Sequence, residues 1–161
     1  MLRRYILELS WALIFILAML LWMLFERVIG LHSVHISVHP IYTNFFAVIA
    51  ILIYVLALRQ KRDRFYAGQM TWLQGFYCGL MITLIIALLT PFTQWIVHTL
   101  ITPHFFVNAA THAIETGMME ASGAGAYFNL TAYIVQAFFG ALIMGIVTSA
   151  VVAFFVRSHK D

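Results

Sequence analysis

Charged residues are scarce in this sequence, and their scarcity excludes an ordinary soluble protein. Only 9% of the 161 residues are charged and 63% are hydrophobic, whereas soluble domains have about 25% charged and about 45–50% apolar residues. Nine basic and six acidic side chains could not cover the surface of a soluble domain of this length. We therefore expect an integral membrane protein whose main partner is the lipid bilayer.

Cysteine is nearly lacking, and several common signature motifs of enzymes are lacking as well. Cys78 is the single cysteine, so neither a disulfide within the chain nor a thiolate metal site can form. No Gly-x-Ser-x-Gly elbow, phosphate-binding loop or Gly-x-Gly-x-x-Gly is present. The basic residues stand in short clusters beside apolar runs, which gives no support to nucleic-acid binding. We expect no enzyme activity, no cofactor and no nucleic-acid partner.

Long apolar runs are what the sequence does have, and continuous runs predict membrane helices rather than barrel strands. One crossing of a bilayer takes about 20 residues. The predicted spans are about residues 5–25, 40–58, 72–100 and 129–156, in a single domain over 1–161. Pro91 removes a helical hydrogen bond and predicts a kink in the third span. The predicted fold class is all-α, an integral membrane four-helix bundle.

The ends of these runs carry further signals. Pro40 suits the first turn of the second helix, and Asn129 is a suitable cap for the last helix. Between the third and last spans we expect a short helical segment after Pro103 and then a flexible join at residues 122–125.

Lysine and arginine predict the orientation, because short loops rich in these residues stay in the cytoplasm. Eight of the nine basic residues belong to the two termini and the central loop. The other two loops carry only Arg27. We therefore expect cytoplasmic N and C termini, which agrees with an even number of spans.

Three stretches resemble a known family. They are ERVIGLH at residues 26–32, YAGQMTW at residues 66–72 and ITPHF at residues 101–105. In their order along the chain they resemble the bacterial membrane family catalogued as domain of unknown function 4199. The resemblance implies the same four-helix layout, in a family with no established activity.

Histidines are the most suggestive polar feature. Six of the seven fall in or beside the two outer loops, together with three glutamates: His32, His35, His39, His98, His104, His112, Glu26, Glu115 and Glu120. Imidazole and carboxylate groups bind zinc, and histidine titrates near neutrality, so these loops could bind metal or respond to pH.

Spacing selects four of these residues as a candidate metal site. His35 and His39 share one face of an extended segment, whereas a helix would align both with His32. His112 and Glu115 suit a helical i, i+3 pair. His35, His39, His112 and Glu115 are therefore the candidate ligands, and the simpler expectation is that they are polar side chains at headgroup level.

Three polar residues fall within or near the predicted spans: Glu8, Gln94 and Gln136. Ionisable groups in membrane helices are costly, which makes Glu8 a candidate for proton coupling. It also stands four residues after Arg4, so a local ion pair along the helix is the simpler expectation. The two glutamines can form hydrogen bonds between helices. Glu26 is interpreted as a charged residue that ends the first span at the membrane interface.

Small residues recur four apart at Gly75 and Gly79 and again at Ala141 and Gly145. This spacing lets membrane helices approach closely. Because four short spans enclose a modest core, we expect these residues to support self-association or contact with other membrane proteins.

Taken together, these features favour a bacterial inner-membrane protein with a binding, assembly or accessory role. A small transporter or channel using Glu8, Gln94 and Gln136 is the alternative, and a membrane enzyme is the third. A transporter should show a polar cavity reaching the middle of the membrane. A binding protein should show a closed core.

Overall fold

The computed structural model describes residues 5–158, and these residues form helices and turns without a strand. In chain order the α-helices are α1 (Ile6–Val28), α2 (His39–Tyr42), α3 (Phe46–Phe65), α4 (Trp72–Ile96), α5 (Phe105–Glu115), α6 (Ala121–Tyr127) and α7 (Leu130–Val156). Short 3-10 turns at Ile36–Val38 and Thr43–Phe45 flank α2, and a π-helical turn at Val97–Ile101 extends α4.

The all-helical fold class is confirmed, with four helical runs long and apolar enough to cross a membrane. These runs are Ile6–Val28, Ile36–Phe65, Trp72–Ile101 and Leu130–Val156. The second run begins before the predicted residue 40, because the 3-10 turns and α2 make the chain helical from Ile36 onward. It also continues through the basic residues that follow the apolar segment.

Two helix starts follow from local capping. Thr71 Oγ1 accepts a hydrogen bond from the Gln74 backbone, and Gln74 Oε1 accepts one from the Thr71 backbone, a complete capping box for α4. Asn129 caps α7 by accepting a hydrogen bond from the backbone of Ala132. The predicted cap at Asn129 is therefore found in the structure.

Helices α4 and α7 make the most extensive contact in the bundle. A Cβ at Gly79 would lie 2.6 Å from Ser149 Oγ, and one at Gly145 would overlap the Thr83 side chain. Gly75 similarly faces α7, with a Cβ position 3.1 Å from the nearest side chain there. The small residues therefore let these two helices meet within one chain.

The predicted role of the small residues in self-association is not supported by where they lie. Gly75, Gly79 and Gly145 are buried between α4 and α7, and Ala141 packs half-buried at the edge of the same core. They are occupied by intrachain packing, so self-association needs another surface and stays a prediction.

A satisfied polar network fills the centre of the α4–α7 contact. Thr83 Oγ1 donates to the Gly79 carbonyl at 2.9 Å and lies 2.8 Å from the Tyr54 hydroxyl on α3. Ser149 Oγ donates to the Gly145 carbonyl at 2.6 Å. Helix α1 completes the core through Leu7 and Ala12. The two carbonyl bonds lie within α4 and within α7 and satisfy the hydroxyls. The Tyr54 hydroxyl joins α3 to α4, and Thr83 Oγ1 lies 3.4 Å from Ser149 Oγ across the α4–α7 contact.

Helix α4 continues through Pro91 to Ile96. Thr90 Oγ1 donates to the Ile86 carbonyl at 2.9 Å, rather than to the carbonyl of Ala87 that the proline leaves without its helical donor. The kink at Pro91 stays a prediction. The predicted flexible join at residues 122–125 is wrong, because this stretch lies in α6.

Candidate functional site

The most deeply buried carboxylate lies at the end of α1. The side chain of Glu26 is 0% exposed. Its Oε1 accepts a hydrogen bond of 2.6 Å from Trp22 Nε1, one turn earlier on the helix. Its Oε2 lies 3.0 Å from His32 Nε2 and 3.4 Å from His39 Nε2. A buried carboxylate is costly without such partners, so these contacts compensate its desolvation.

A glycine turn brings His32 back onto the helix it has just left. The Gly30 backbone has φ +79°, and its N–H donates to the Arg27 carbonyl while that of Leu31 donates to the Glu26 carbonyl. These two bonds are the Schellman motif, in which glycine is favoured because it adopts positive φ without strain. Leu31 is buried against the bundle, so the chain reverses and His32 returns to Glu26.

His39 reaches Glu26 as the first residue of α2. Helix α5 holds the connecting loop, because Asn108 Nδ2 donates a hydrogen bond of 2.8 Å to the His32 carbonyl. The ring of Phe105 packs against both imidazoles, with centroid distances of 5.3 Å to His32 and 5.2 Å to His39. Residues from α1, α2 and α5 therefore fix the two histidines. We call Glu26, His32 and His39 the carboxylate cluster.

His98 faces the same region from the π-helical turn after α4. Its Nε2 lies 3.1 Å from Gln94 Oε1, and its ring lies 5.3 Å from Phe105. Single π turns inside helices frequently occur at functional sites. His98 therefore belongs to the surroundings of the carboxylate cluster although it does not touch Glu26.

Two adjoining cavities open beside the cluster. One of about 260 Å³ is lined by both cluster histidines, Gln94 and His98. The other, of about 400 Å³, is lined mainly by apolar and aromatic residues with His112 at its wall. The cavities share His39 and Phe105. This end of the bundle, which we call the histidine end, therefore combines buried polar groups with space for a ligand.

Several buried imidazole nitrogens at the histidine end lack a hydrogen-bond partner within residues 5–158. They are His32 Nδ1, His39 Nε2 and His98 Nδ1. His39 Nε2 is close to Glu26 Oε2, but His32 occupies that oxygen with the better hydrogen bond. Buried polar atoms normally have partners, so such nitrogens point to an ion, water or ligand.

The predicted metal site differs from the group that forms. Within the described residues, a single group of three or more candidate ligands lies close together, and it contains Glu26, His32 and His39, with ligand atoms within 4.8 Å of one another. Of the predicted ligands only His39 belongs to it. His35 and Glu115 are exposed, whereas His112 lines the larger cavity. The Gly30 turn is the reason, because it directs His32 rather than His35 inward.

The predicted polar residues of the spans have separate environments. Glu8 is buried and pairs across the bundle with Lys61 Nζ at 2.6 Å. The partner expected from sequence, Arg4, lies outside the described residues. Gln94 joins the histidine end through His98, whereas Gln136 is exposed on the surface of α7. These three residues do not share one site.

Sequence reasoning placed Glu26 and His32 at the histidine end but did not select them as a pair. The spacing rules for helices and strands carry no information about a chain reversal. The signal that was available is Gly30 followed by Leu31 at the end of an apolar helix, the pattern of a Schellman motif with its hydrophobic contact. Asn108 and Trp22 gave no comparable signal.

Comparison with known proteins identifies the family. No curated protein and no solved structure matches the chain. One family matches residues 10–158, nearly the whole chain. This match confirms the resemblance carried by residues 26–32, 66–72 and 101–105. The chain therefore belongs to the family described as Protein of unknown function (DUF4199).

Proposed function

We propose that this chain is a multi-pass protein of the bacterial inner membrane that acts by binding a ligand at its histidine end, which faces away from the cytoplasm. The observation that carries the proposal is Glu26, a fully buried carboxylate facing two imidazoles beside two cavities. Pockets that combine apolar walls with a few converging polar groups are typical of ligand sites.

Helix length and basic residues support the membrane placement. The four candidate spans have 23 to 30 residues, more than the about 20 needed to cross a hydrocarbon core. Arg59, Lys61, Arg62 and Arg64 follow the apolar part of α3, at the end opposite Glu26. Short basic loops stay in the cytoplasm, so the histidine end faces the other side.

The centre of the bundle supports binding rather than transport. Tyr54, Thr83 and Ser149 form hydrogen bonds with one another or with backbone carbonyls, and Thr83 and Ser149 are at most 1% exposed. Ile82 is also fully buried there. A solute crossing between α4 and α7 would have to separate them at Gly79 and Gly145, where the two helices approach closely. A bound ligand at the histidine end requires no such opening.

Cysteine accessibility tests this proposal. In a Cys78→Ala background, Ser37→Cys introduces a thiol at the wall of the larger cavity and Ser149→Cys introduces one at the centre. We expect a membrane-impermeant maleimide added to the outside of intact inner membranes to label Cys at position 37. The thiol at position 149 should react only after denaturation.

Two results would overturn the proposal. Labelling at position 149 in native membranes would show an aqueous path and favour the transporter. Labelling at position 37 only from the cytoplasmic side would reverse the orientation. Val48→Cys, on the exposed surface of α3, is the control for reaction through lipid.

A further inference from the structure

We infer that the carboxylate cluster binds a divalent transition metal ion, with zinc the best match, through Glu26, His32 and His39. The inference rests on the proposed binding role of the histidine end and names its ligand. This set of ligands differs from the one predicted by spacing. The chain reversal at Gly30 brings Glu26 and His32 together, whereas the predicted His35 and Glu115 are exposed.

The donor types select the class of metal. One carboxylate oxygen and two imidazole nitrogens are a common ligand set for zinc. Calcium and magnesium prefer sites made wholly of oxygen atoms. Imidazole also suits copper, iron and nickel, and selection among these metals depends on geometry, ligand type and metal availability. The cluster is therefore a site for a first-row transition metal rather than for an alkaline-earth ion.

The separations of the donor atoms fit such an ion. Zinc lies about 2.0–2.1 Å from nitrogen and oxygen ligands, so neighbouring corners of its tetrahedron are about 3.3 Å apart. Glu26 Oε2 lies 3.0 Å from His32 Nε2 and 3.4 Å from His39 Nε2. These two distances are close to the edge of a zinc tetrahedron, and all three ligand atoms lie within 4.8 Å of one another, so side-chain movement alone could bring them around one ion.

Hydrogen bonding within the cluster leaves a nitrogen that a metal would engage. Both Nε2 atoms face the same carboxylate oxygen, and only His32 makes a hydrogen bond with it. A metal ion between the three side chains would bind His39 Nε2 as well. Trp22 Nε1 holds the other carboxylate oxygen at 2.6 Å. Such supporting hydrogen bonds orient metal ligands and raise metal affinity.

The smaller cavity is lined by both cluster histidines. His98 lines this cavity and has a buried Nδ1 without a partner, although it lies outside the group of close ligand atoms. Closed four-ligand zinc sites are structural, whereas sites with three protein ligands keep an exchangeable position. The cluster therefore has the layout of an exchangeable site, with room for water or another ligand beside the metal.

Calorimetry with zinc sulfate on the purified full-length protein tests the inference. The wild type should bind zinc at one site per chain. Glu26→Gln and His39→Gln should each raise the zinc dissociation constant by more than the roughly 10–100-fold typical of losing a supporting partner. For Trp22→Phe, which removes a supporting hydrogen bond, the rise in the dissociation constant should lie within that range of roughly 10–100-fold. His35→Ala and His104→Ala, exposed histidines of the same end, are the matched controls and should bind as the wild type does.

A second measurement separates coordination from folding defects. Thermal unfolding of each variant without metal shows whether it folds. Cobalt(II) then reports geometry, because a four-coordinate site absorbs visible light much more strongly than a hydrated six-coordinate ion does. The wild type should give the intense spectrum and folded Glu26→Gln should not.

Equal zinc affinity in wild type and Glu26→Gln, or loss of binding in His35→Ala, would overturn the assignment. In either case the cluster would be a hydrogen-bonded network only. That failure leaves the proposed binding role standing if the thiol at position 37 is accessible from outside and the thiol at position 149 is not. Labelling at position 149 in a chain that binds zinc would instead show an aqueous path through the bundle and favour a transporter that holds the metal.

Discussion

Helix α1 buries a carboxylate at each end, and the two differ in their partners. Glu8 faces the ammonium group of Lys61 at 2.6 Å. Glu26 faces an indole N–H and two imidazoles, which are neutral or charged according to protonation. The Glu8 carboxylate has an ion-pair partner within the chain. A carboxylate among imidazoles keeps the capacity to take a metal ion.

This comparison separates a structural role from a binding role. The Glu8–Lys61 pair is within the packed core of α1, α3 and α4, with both side chains at most 4% exposed. Both ends leave a buried polar atom without a hydrogen-bond partner among the described residues, Glu8 Oε2 at one and His39 Nε2 at the other. Only at the Glu26 end do the carboxylate's own partners, His32 and His39, line a cavity. Burial alone would make both carboxylates candidate functional residues. Their partners decide between them.

The largest expected effect comes from breaking the ion pair. Lys61→Met leaves Glu8 buried without its cation, which typically costs about 3–5 kcal/mol. We expect the free energy of unfolding in detergent to fall by that amount. The double variant Glu8→Leu/Lys61→Met should recover most of the loss, because a well-packed apolar pair avoids the desolvation of both charges. No recovery would contradict a purely structural pair.

Zinc should stabilise the protein through Glu26 and not through Glu8. At a zinc concentration 100 times the dissociation constant, binding to the folded state alone contributes about 2.7 kcal/mol. Thermal unfolding should show this gain in the wild type and in Glu8→Gln, and no gain in Glu26→Gln. A gain that depended on Glu8 would place the metal at the wrong end of α1.

The turn at Gly30 should matter for stability and for metal binding. Gly30→Ala forces a side chain into a positive-φ conformation, which costs roughly 1–2 kcal/mol, and its Cβ would lie 2.8 Å from Val34. Gly117→Ala is the matched control, since Gly117 also has positive φ but no neighbour within 4 Å. Both variants should lose stability, and only Gly30→Ala should weaken zinc binding in calorimetry.

The smallest expected effect is at Asn108, which donates to the His32 carbonyl from α5. Asn108→Ala removes one hydrogen bond at the edge of the site, for which about 1 kcal/mol is typical. Chemical unfolding should show a loss of that size, with a modest rise in the zinc dissociation constant. Full wild-type affinity would show that α5 does not position His32.

Much of the fold follows from local sequence features. Four apolar runs predict four long helices, and Asn129 predicts the cap that begins α7, because both signals depend on neighbouring residues. The small residues were found by spacing as well. The surface that these small residues contact could not be predicted, since Gly79 and Gly145 could face either another chain or another helix of the same chain.

The candidate site was harder to predict because it depends on distant contacts. Local pairing along a helix favours Arg4 for Glu8, whereas the described partner is Lys61, on a different helix. Alternation grouped His35 with His39, whereas the structure joins His39 to Glu26. The chain reversal at Gly30 is the one feature of the site that the sequence could have predicted. It explains why His32 lies beside Glu26.

X-ray absorption at the zinc edge tests the central claim, that Glu26, His32 and His39 form the metal-binding site, most directly. In zinc-loaded wild-type protein we expect nitrogen and oxygen ligands at about 2.0–2.1 Å from the zinc. The spectrum should also show scattering from the more distant atoms of two imidazole rings. In Glu26→Gln and His39→Gln the imidazole scattering should fall or disappear, while in His35→Ala it should persist. A spectrum of hydrated zinc without imidazole scattering in the wild type would contradict the claim.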